Sequence, residues 1–254
     1  MKRIFLLGGH DLEMQTIRNL LEEYGENYYD KNLRWDNALL STYQQELLQY
    51  WNKNDICLYA IELQVDIKDI YSNLVLIDHH NKYQDRPSAL IQVAQILNHT
   101  LSRYQQLVAA NDSDYIPGML QLSATKKEIE NIRQQDRTAQ GVTDKDEQLA
   151  LQAINENREE IGDLIIIYSK TSRFSPICDR LFPFHKLLIY TDKEWMYYGE
   201  NVEKIIHWCK KEIQPDSFFY GGGENGFVGV VMDYFSKSEI DKMISKLIKI
   251  IKYN

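Results

Sequence analysis

The stretch Leu74-Val75-Leu76-Ile77-Asp78-His79-His80-Asn81 constrains this chain more than any other. Four apolar residues run without a charge and end abruptly in an acid and two imidazoles. A short apolar run bounded in this way predicts a buried strand of a parallel sheet. Ligands of open α/β sheets sit beyond the carboxyl ends of the strands. Asp78, His79 and His80 are therefore expected at the functional edge of such a sheet, with successive side chains pointing different ways. A carboxylate beside neutral imidazole is also a donor set that transition metals take. The plainer alternative is a helix-capping Asp followed by two surface histidines. It would place two of the chain's six histidines where they do nothing.

The same pattern occurs twice upstream. Residues 3–7 form an apolar strand followed by Gly8-Gly9-His10-Asp11-Leu12-Glu13, and the glycines permit a tight turn and close backbone approach. There is no third glycine, so a dinucleotide fingerprint is excluded. Asp11 and Glu13 can offer oxygens to a cation, while Asp11 can equally cap the helix that follows. Residues 55–62 form a second strand ending in Glu62. Three strands that all end in acids predict a shared site. Residues 35–51 repeat apolar side chains at helical spacing, as do residues 87–101. Residues 106–110 form a fourth apolar run, leading to Asn111-Asp112-Ser113-Asp114 and a turn at Pro117-Gly118. Asp112 and Asp114 are the candidates there, with an Asx-turn as the alternative for either.

Residues 126–136 and 144–161 are charged helical stretches; Arg133, Asp136 and Arg137 could reach toward a cleft, with solvated helix faces as the plainer expectation. Beyond them the chain alternates strands (163–168, 186–190, 195–198, 218–220, 227–232) with helices at 202–212 and 238–251. Gly221-Gly222-Gly223 suits either close approach to an anion or a wide hairpin loop. The expected class is α/β throughout. A parallel-sheet N-terminal domain (1–122) and a helical connector (123–161) precede a smaller α/β domain (162–254).

With 44% hydrophobic residues the 254-residue chain can bury a substantial core. Its net charge of -8 argues against a broad footprint on long duplex nucleic acid, though not against a nucleotide or short oligonucleotide. Cys57, Cys178 and Cys209 form no CxxC pair and are expected to be reduced thiols in a cytoplasmic protein. No run reaches the ~20 apolar residues of a membrane helix, so no membrane partner is expected. Oligomeric state is not legible.

Leu76-Ile77-Asp78-His79-His80-Asn81 resembles the signature of the DHH phosphoesterase superfamily. The order of the other acids fits: Asp11-x-Glu13 is similar to that family's first motif, Glu62 to its second and Asp114 to its fourth. Gly221-Gly222-Gly223 resembles the glycine-rich loop of its smaller C-terminal domain. The departures are Glu13 and Glu62 where the family uses Asp, His10 directly beside Asp11, and Glu224 in place of a histidine. The resemblance implies a metal-dependent phosphoesterase acting on a small phosphorylated ligand such as a short oligonucleotide, a nucleotide or a pyrophosphate. Asp11, Glu13, Glu62, Asp78, His79 and Asp114 would hold one or two Mn²⁺ or Mg²⁺ ions, the mixed O/N donors favouring Mn²⁺. His80 would contact phosphate or protonate the leaving oxygen, with Asp78 beside it. Gly222, Gly223 and Arg173 would bind the far end of the substrate. The alternative is a catalytically degenerate ligand-binding or regulatory protein on the same fold.

Overall fold

Uninterrupted apolar runs become strands, although the run 74–77, expected to be buried, lies at a sheet edge with Ile77 buried and Val75 exposed. The computed structural model describes residues 1–51, 53–68, 72–221, 226–231 and 236–252. It divides into two units, Met1–Gly141 and Val142–Asn254. The stretch expected as a connector is thus shared between them.

In the first unit β1 (Lys2–Leu7), β2 (Asn27–Asp30), β3 (Ile56–Ile61) and β4 (Leu74–Ile77) form a wholly parallel sheet in the order β2-β1-β3-β4. Ile4, Phe5, Leu6 and Leu7 are all buried, as a strand covered on both faces requires. Ile4, Leu6, Leu58 and Ala60 pack with Tyr43, Leu47 and Tyr50. Helices α1 (Leu12–Glu23), α3 (Ala89–Leu97), α4 (Arg103–Gln121) and α5 (Lys126–Ala139) pack on one another. Register then positions the acids. Leu7 lies opposite Ile61 and Ile61 opposite Ile77, so Gly8, Glu62 and Asp78 leave the sheet in one row at its carboxyl edge.

Two expectations are corrected here. Residues 35–51 are not one helix but two 3₁₀ turns, Trp35–Asn37 and Leu40–Tyr43, followed by α2 (Gln44–Tyr50). The backbone is drawn out of helical geometry by the strand edge: Leu40 N–H donates to the Gln64 carbonyl at 2.9 Å and Gln64 N–H to that of Ala38 at 2.8 Å. Residues 106–110 are not an extended run but part of α4, which kinks at Asp114 and Tyr115 and continues through Pro117.

In the second unit β5 (Arg158–Ile161), β6 (Leu164–Tyr168), β7 (Lys186–Tyr190), β8 (Glu194–Gly199), β9 (Phe218–Gly221) and β10 (Phe227–Val231) form a mixed sheet. Its order is β5-β6-β7-β8-β10-β9, with β6 and β7 parallel. Leu164, Leu188, Trp195 and Tyr197 pack with α8 (Val202–Glu212) and α9 (Lys237–Lys252). Ile167, Leu187 and Ile189 pack with α6 (Asp144–Glu156) and α7 (Ser175–Leu181). The helix expected to reach residue 161 stops at Glu156, and the charged segment after it is an edge strand, where polar side chains are tolerated on both sides. Among the described residues no helix is long and apolar enough to cross a membrane.

Candidate metal centre

The turn after β1 is as tight as its glycines allow. A Cβ on Gly8 would stand 2.5 Å from the Glu62 carbonyl oxygen. Glu62 itself takes a left-handed backbone (φ 50°), a conformation that costs a non-glycine residue energy and concentrates at functional sites. Its N–H donates to the Ile77 carbonyl at 2.8 Å, which keeps the ends of β3 and β4 in step.

Helix N-termini hold the first two acids. Asp11 caps α1, its Oδ1 accepting from Met14 N–H at 2.8 Å. Glu13 is the second residue of α1 and is fully buried; its Oε1 accepts from Leu90 N–H at 3.0 Å at the start of α3. Free N–H groups and the helix dipole favour carboxylates at both places. One layer beneath, Asp136 on α5 accepts from Leu12 N–H at 3.3 Å and from the Arg133 guanidinium at 2.7 Å, and Arg133 also donates to Asn111 at 2.9 Å. Arg133, Asp136 and Arg137 are buried, contrary to the solvated faces expected. Arg133 and Asp136 tie α5 to the segments that carry Asp11 and Asp112.

Four side chains converge on one point. Ligand atoms of Glu62, His79, His80 and Asp112 all lie within 4.8 Å of one another. His79 Nε2 is 2.6 Å from Asp112 Oδ2, 3.3 Å from Glu62 Oε1 and 4.0 Å from Glu13 Oε2. Yet Glu13 Oε2, both Glu62 oxygens, His79 Nε2 and Asp112 Oδ2 are buried without an aligned hydrogen-bond partner. They are five of the seven such side-chain atoms found among the described residues. Buried polar groups are normally satisfied. Three carboxylates and an imidazole left in this state form a donor set with the hardness and mixed character that a divalent cation takes.

The electrostatics agree. Burial, and then the Asp112 carboxylate, push the Asp11 carboxyl up to about 7. Burial followed by repulsion from Asp112 raises Glu13 and Glu62 well above the usual carboxylate range. His79 is opposed by burial, but Asp112, Glu13 and Asp78 together raise it. Asp78 behaves differently. Burial works against its charge, yet its hydrogen bonds with the His80 ring and backbone N–H hold it below the ordinary value. Its Oδ1 receives His80 N–H at 2.9 Å and lies 3.1 Å from His80 Nδ1.

Not every expected ligand is in the group. Asp114 is exposed, and its Oδ2 accepts from Gln121 at 3.2 Å; Asp112 takes the place expected of it. Asp78 lies alongside, with its carboxylate engaged by His80. His10 is half-buried beside Asp11 and outside the group. Gly222, Gly223 and Glu224 lie outside the described residues. Arg173 is exposed in the second unit. With residues 103–121 helical, Asp112 stands one turn beyond Val108, which is fully buried.

None of the known family models matches the chain, and no curated protein does. Among solved structures the chain is similar to a DHH-domain member of the s1p family of ribosomal proteins. That match has 8% identity and a TM-score of 0.51, over 98% of this chain and 87% of that one. It also resembles a pGpG-specific phosphodiesterase of Vibrio cholerae (10% identity, TM-score 0.48, 98% of each chain). A third match is the Mn²⁺ complex of RecJ from Thermus thermophilus (11%, 0.42, 91% of this chain and 50% of that one). The first of these matches carries the fold, and the expectation raised by Asp78-His79-His80 is borne out at that level.

Proposed function

We propose that this chain, which has the fold of DHH-domain proteins, is a metal-dependent phosphoesterase acting on a small phosphorylated substrate. One observation carries the proposal: five orphaned donor atoms are gathered at the carboxyl edge of a parallel sheet, on residues from α1 and α4 and from the loops that follow β3 and β4.

Glu13, Glu62, His79 and Asp112 would hold the cation, one or two ions, with Asp11 beside them. When bound, a divalent ion there supplies Lewis-acid neutralisation of phosphoryl oxygen charge. The mixed oxygen and nitrogen donors suit Mn²⁺, with Mg²⁺ as the alternative. Ligation needs neutral imidazole and ionised carboxylates, so loading the site displaces the protons that burial otherwise retains.

Asp78 and His80 act as a pair. The Asp78 carboxylate is ionised and can only accept, so His80 Nδ1 is the donor between them. That fixes the His80 tautomer and leaves Nε2 for substrate. With a proton on Nε2 the ring can hydrogen-bond a phosphoryl oxygen or protonate the departing oxygen. His80 is the most exposed member of the group, with a side chain 43% accessible. A residue that meets substrate should be accessible, whereas Glu62 and Glu13 are not.

The test is turnover by purified protein with Mn²⁺ or Mg²⁺ on pyrophosphate, dinucleotides, cyclic dinucleotides and short oligonucleotides. Hydrolysis of at least one, abolished by His80→Ala or Glu62→Ala, is expected. Metal binding without turnover on any of them would instead favour the catalytically degenerate binding protein.

A further inference from the structure

A cleft of about 640 Å³ opens in the first unit directly beside Glu62 and His80. It falls within the ~300–1,000 Å³ typical of small-molecule sites, and a pyrophosphate held at the cation would leave most of it empty. Trp35 forms one wall. Its indole is 50% exposed, yet it is held in place. It rests on Gly9, whose φ of +87° and missing side chain make the room: a Cβ there would meet the ring at 2.9 Å. The His80 ring approaches it edge-on with centroids 5.7 Å apart. Leu76, Lys82 and Tyr83 also line the cleft. Lys82 Nζ and the Arg86 guanidinium lie 4.8 and 4.1 Å from the Tyr83 ring centroid, so positive charge collects around that ring.

We propose that this cleft seats a planar aromatic base on the exposed face of Trp35, which makes the substrate a nucleotide-type phosphoester. The assignment rests on the phosphoesterase proposal above and narrows it, because it excludes pyrophosphate as the preferred substrate. The reacting phosphate lies at the cation end. The base stacks on an indole already fixed next to His80, and a second anionic group meets Lys82. An indole already packed against Gly9 and His80 has less freedom to lose when a ring stacks on it, and stacking on an aromatic side chain tolerates any base because every base has a π-face.

The test compares binding of adenosine 5′-monophosphate with binding of inorganic phosphate, by calorimetry, each with and without Mg²⁺. The wild-type chain should prefer the nucleotide by about tenfold or more, the range expected for one stacked base. Trp35→Leu should erase that preference and leave phosphate binding unchanged, while Trp35→Phe, which keeps a ring, should retain most of it. Equal affinity for the two probes in the wild type would overturn the assignment. So would a preference that survives in Trp35→Leu. A kinetic comparison separates this inference from its premise. Equal kcat/KM on a dinucleotide and its abasic analogue sinks the base seat while leaving the phosphoesterase standing. Nucleotide binding through Trp35 with no turnover does the reverse.

Discussion

At the ends of β6 and β7 in the second unit the buried hydroxyls have partners. Ser169 donates to the Thr171 carbonyl at 2.8 Å, Thr171 to Asp146 at 2.6 Å, and Thr191 Oγ1 accepts from the backbone of Lys193 and Glu194. At the ends of β3 and β4 in the first unit, Glu62 and His79 are also buried, yet their inward-facing atoms crowd against other acids without an aligned hydrogen-bond partner. Both places are strand ends closed by polar residues. The first arrangement is self-sufficient, which is what a structural turn needs. The second raises the proton affinity of its carboxylates and is relieved only by a proton or a cation. The difference shows that polar residues at a strand end do not mark a site; polar residues left unsatisfied there do.

Removing a donor from the unsatisfied cluster should have the largest effect. Asp112→Ala should weaken Mn²⁺ binding by more than ~100-fold, since even outer-layer losses at metal sites cost ~10–100-fold. The metal-free variant should lose little stability, because the lost contact with His79 is offset by relief of the repulsion that Asp112 exerts on Asp11, Glu13 and Glu62. Unchanged calorimetric affinity would refute the assignment of Asp112.

Protonation should show the same contrast. In the metal-free protein the folded Asp11 carboxyl titrates at about 7 against its ordinary 3.8, so the folded chain holds an extra proton between those values. Stability must therefore fall as pH rises from about 4 to about 7. Glu13, Glu62 and His79, all raised, act in the same direction. The Tm gain on adding Mn²⁺ should grow over this range, as ligation needs the deprotonated groups. Thermal melts at several pH values with and without Mn²⁺ check both slopes, and parallel curves would contradict the cluster.

The satisfied layer beneath the site should respond as structure. Arg133→Met leaves Asp136 buried without its ion partner and should cost about 3–5 kcal/mol in urea unfolding. Thr171→Val in the second unit removes a bond to the Asp146 carboxylate and one from Arg173 N–H and should cost about 1–3 kcal/mol, with Mn²⁺ affinity unmoved. Asp114→Ala sharpens the choice between neighbouring acids: a change within about 0.5 kcal/mol is expected for an exposed position, and Mn²⁺ affinity should stay at the wild-type value.

Residue order alone was enough to place three strand ends and their acids. The apolar runs before Gly8, Glu62 and Asp78 are too short and too continuous for anything but strands of a parallel sheet, and the register of such strands aligns their carboxyl ends. Helices α8 and α9 were legible from their apolar period for the same local reason. The edge strand β5 was not, because its residues are mostly charged and pairing, not burial, defines it. The choice between Asp112 and Asp114 belonged to tertiary structure. In an extended run the two acids would share a face, whereas a helix turns them about 200° apart. Which of these held depended on the packing of Leu107, Val108 and Ala109 inside the first unit. That packing made α4 a helix, carried Asp112 inward to His79 and left Asp114 in solvent, an outcome of contacts between segments far apart in the chain.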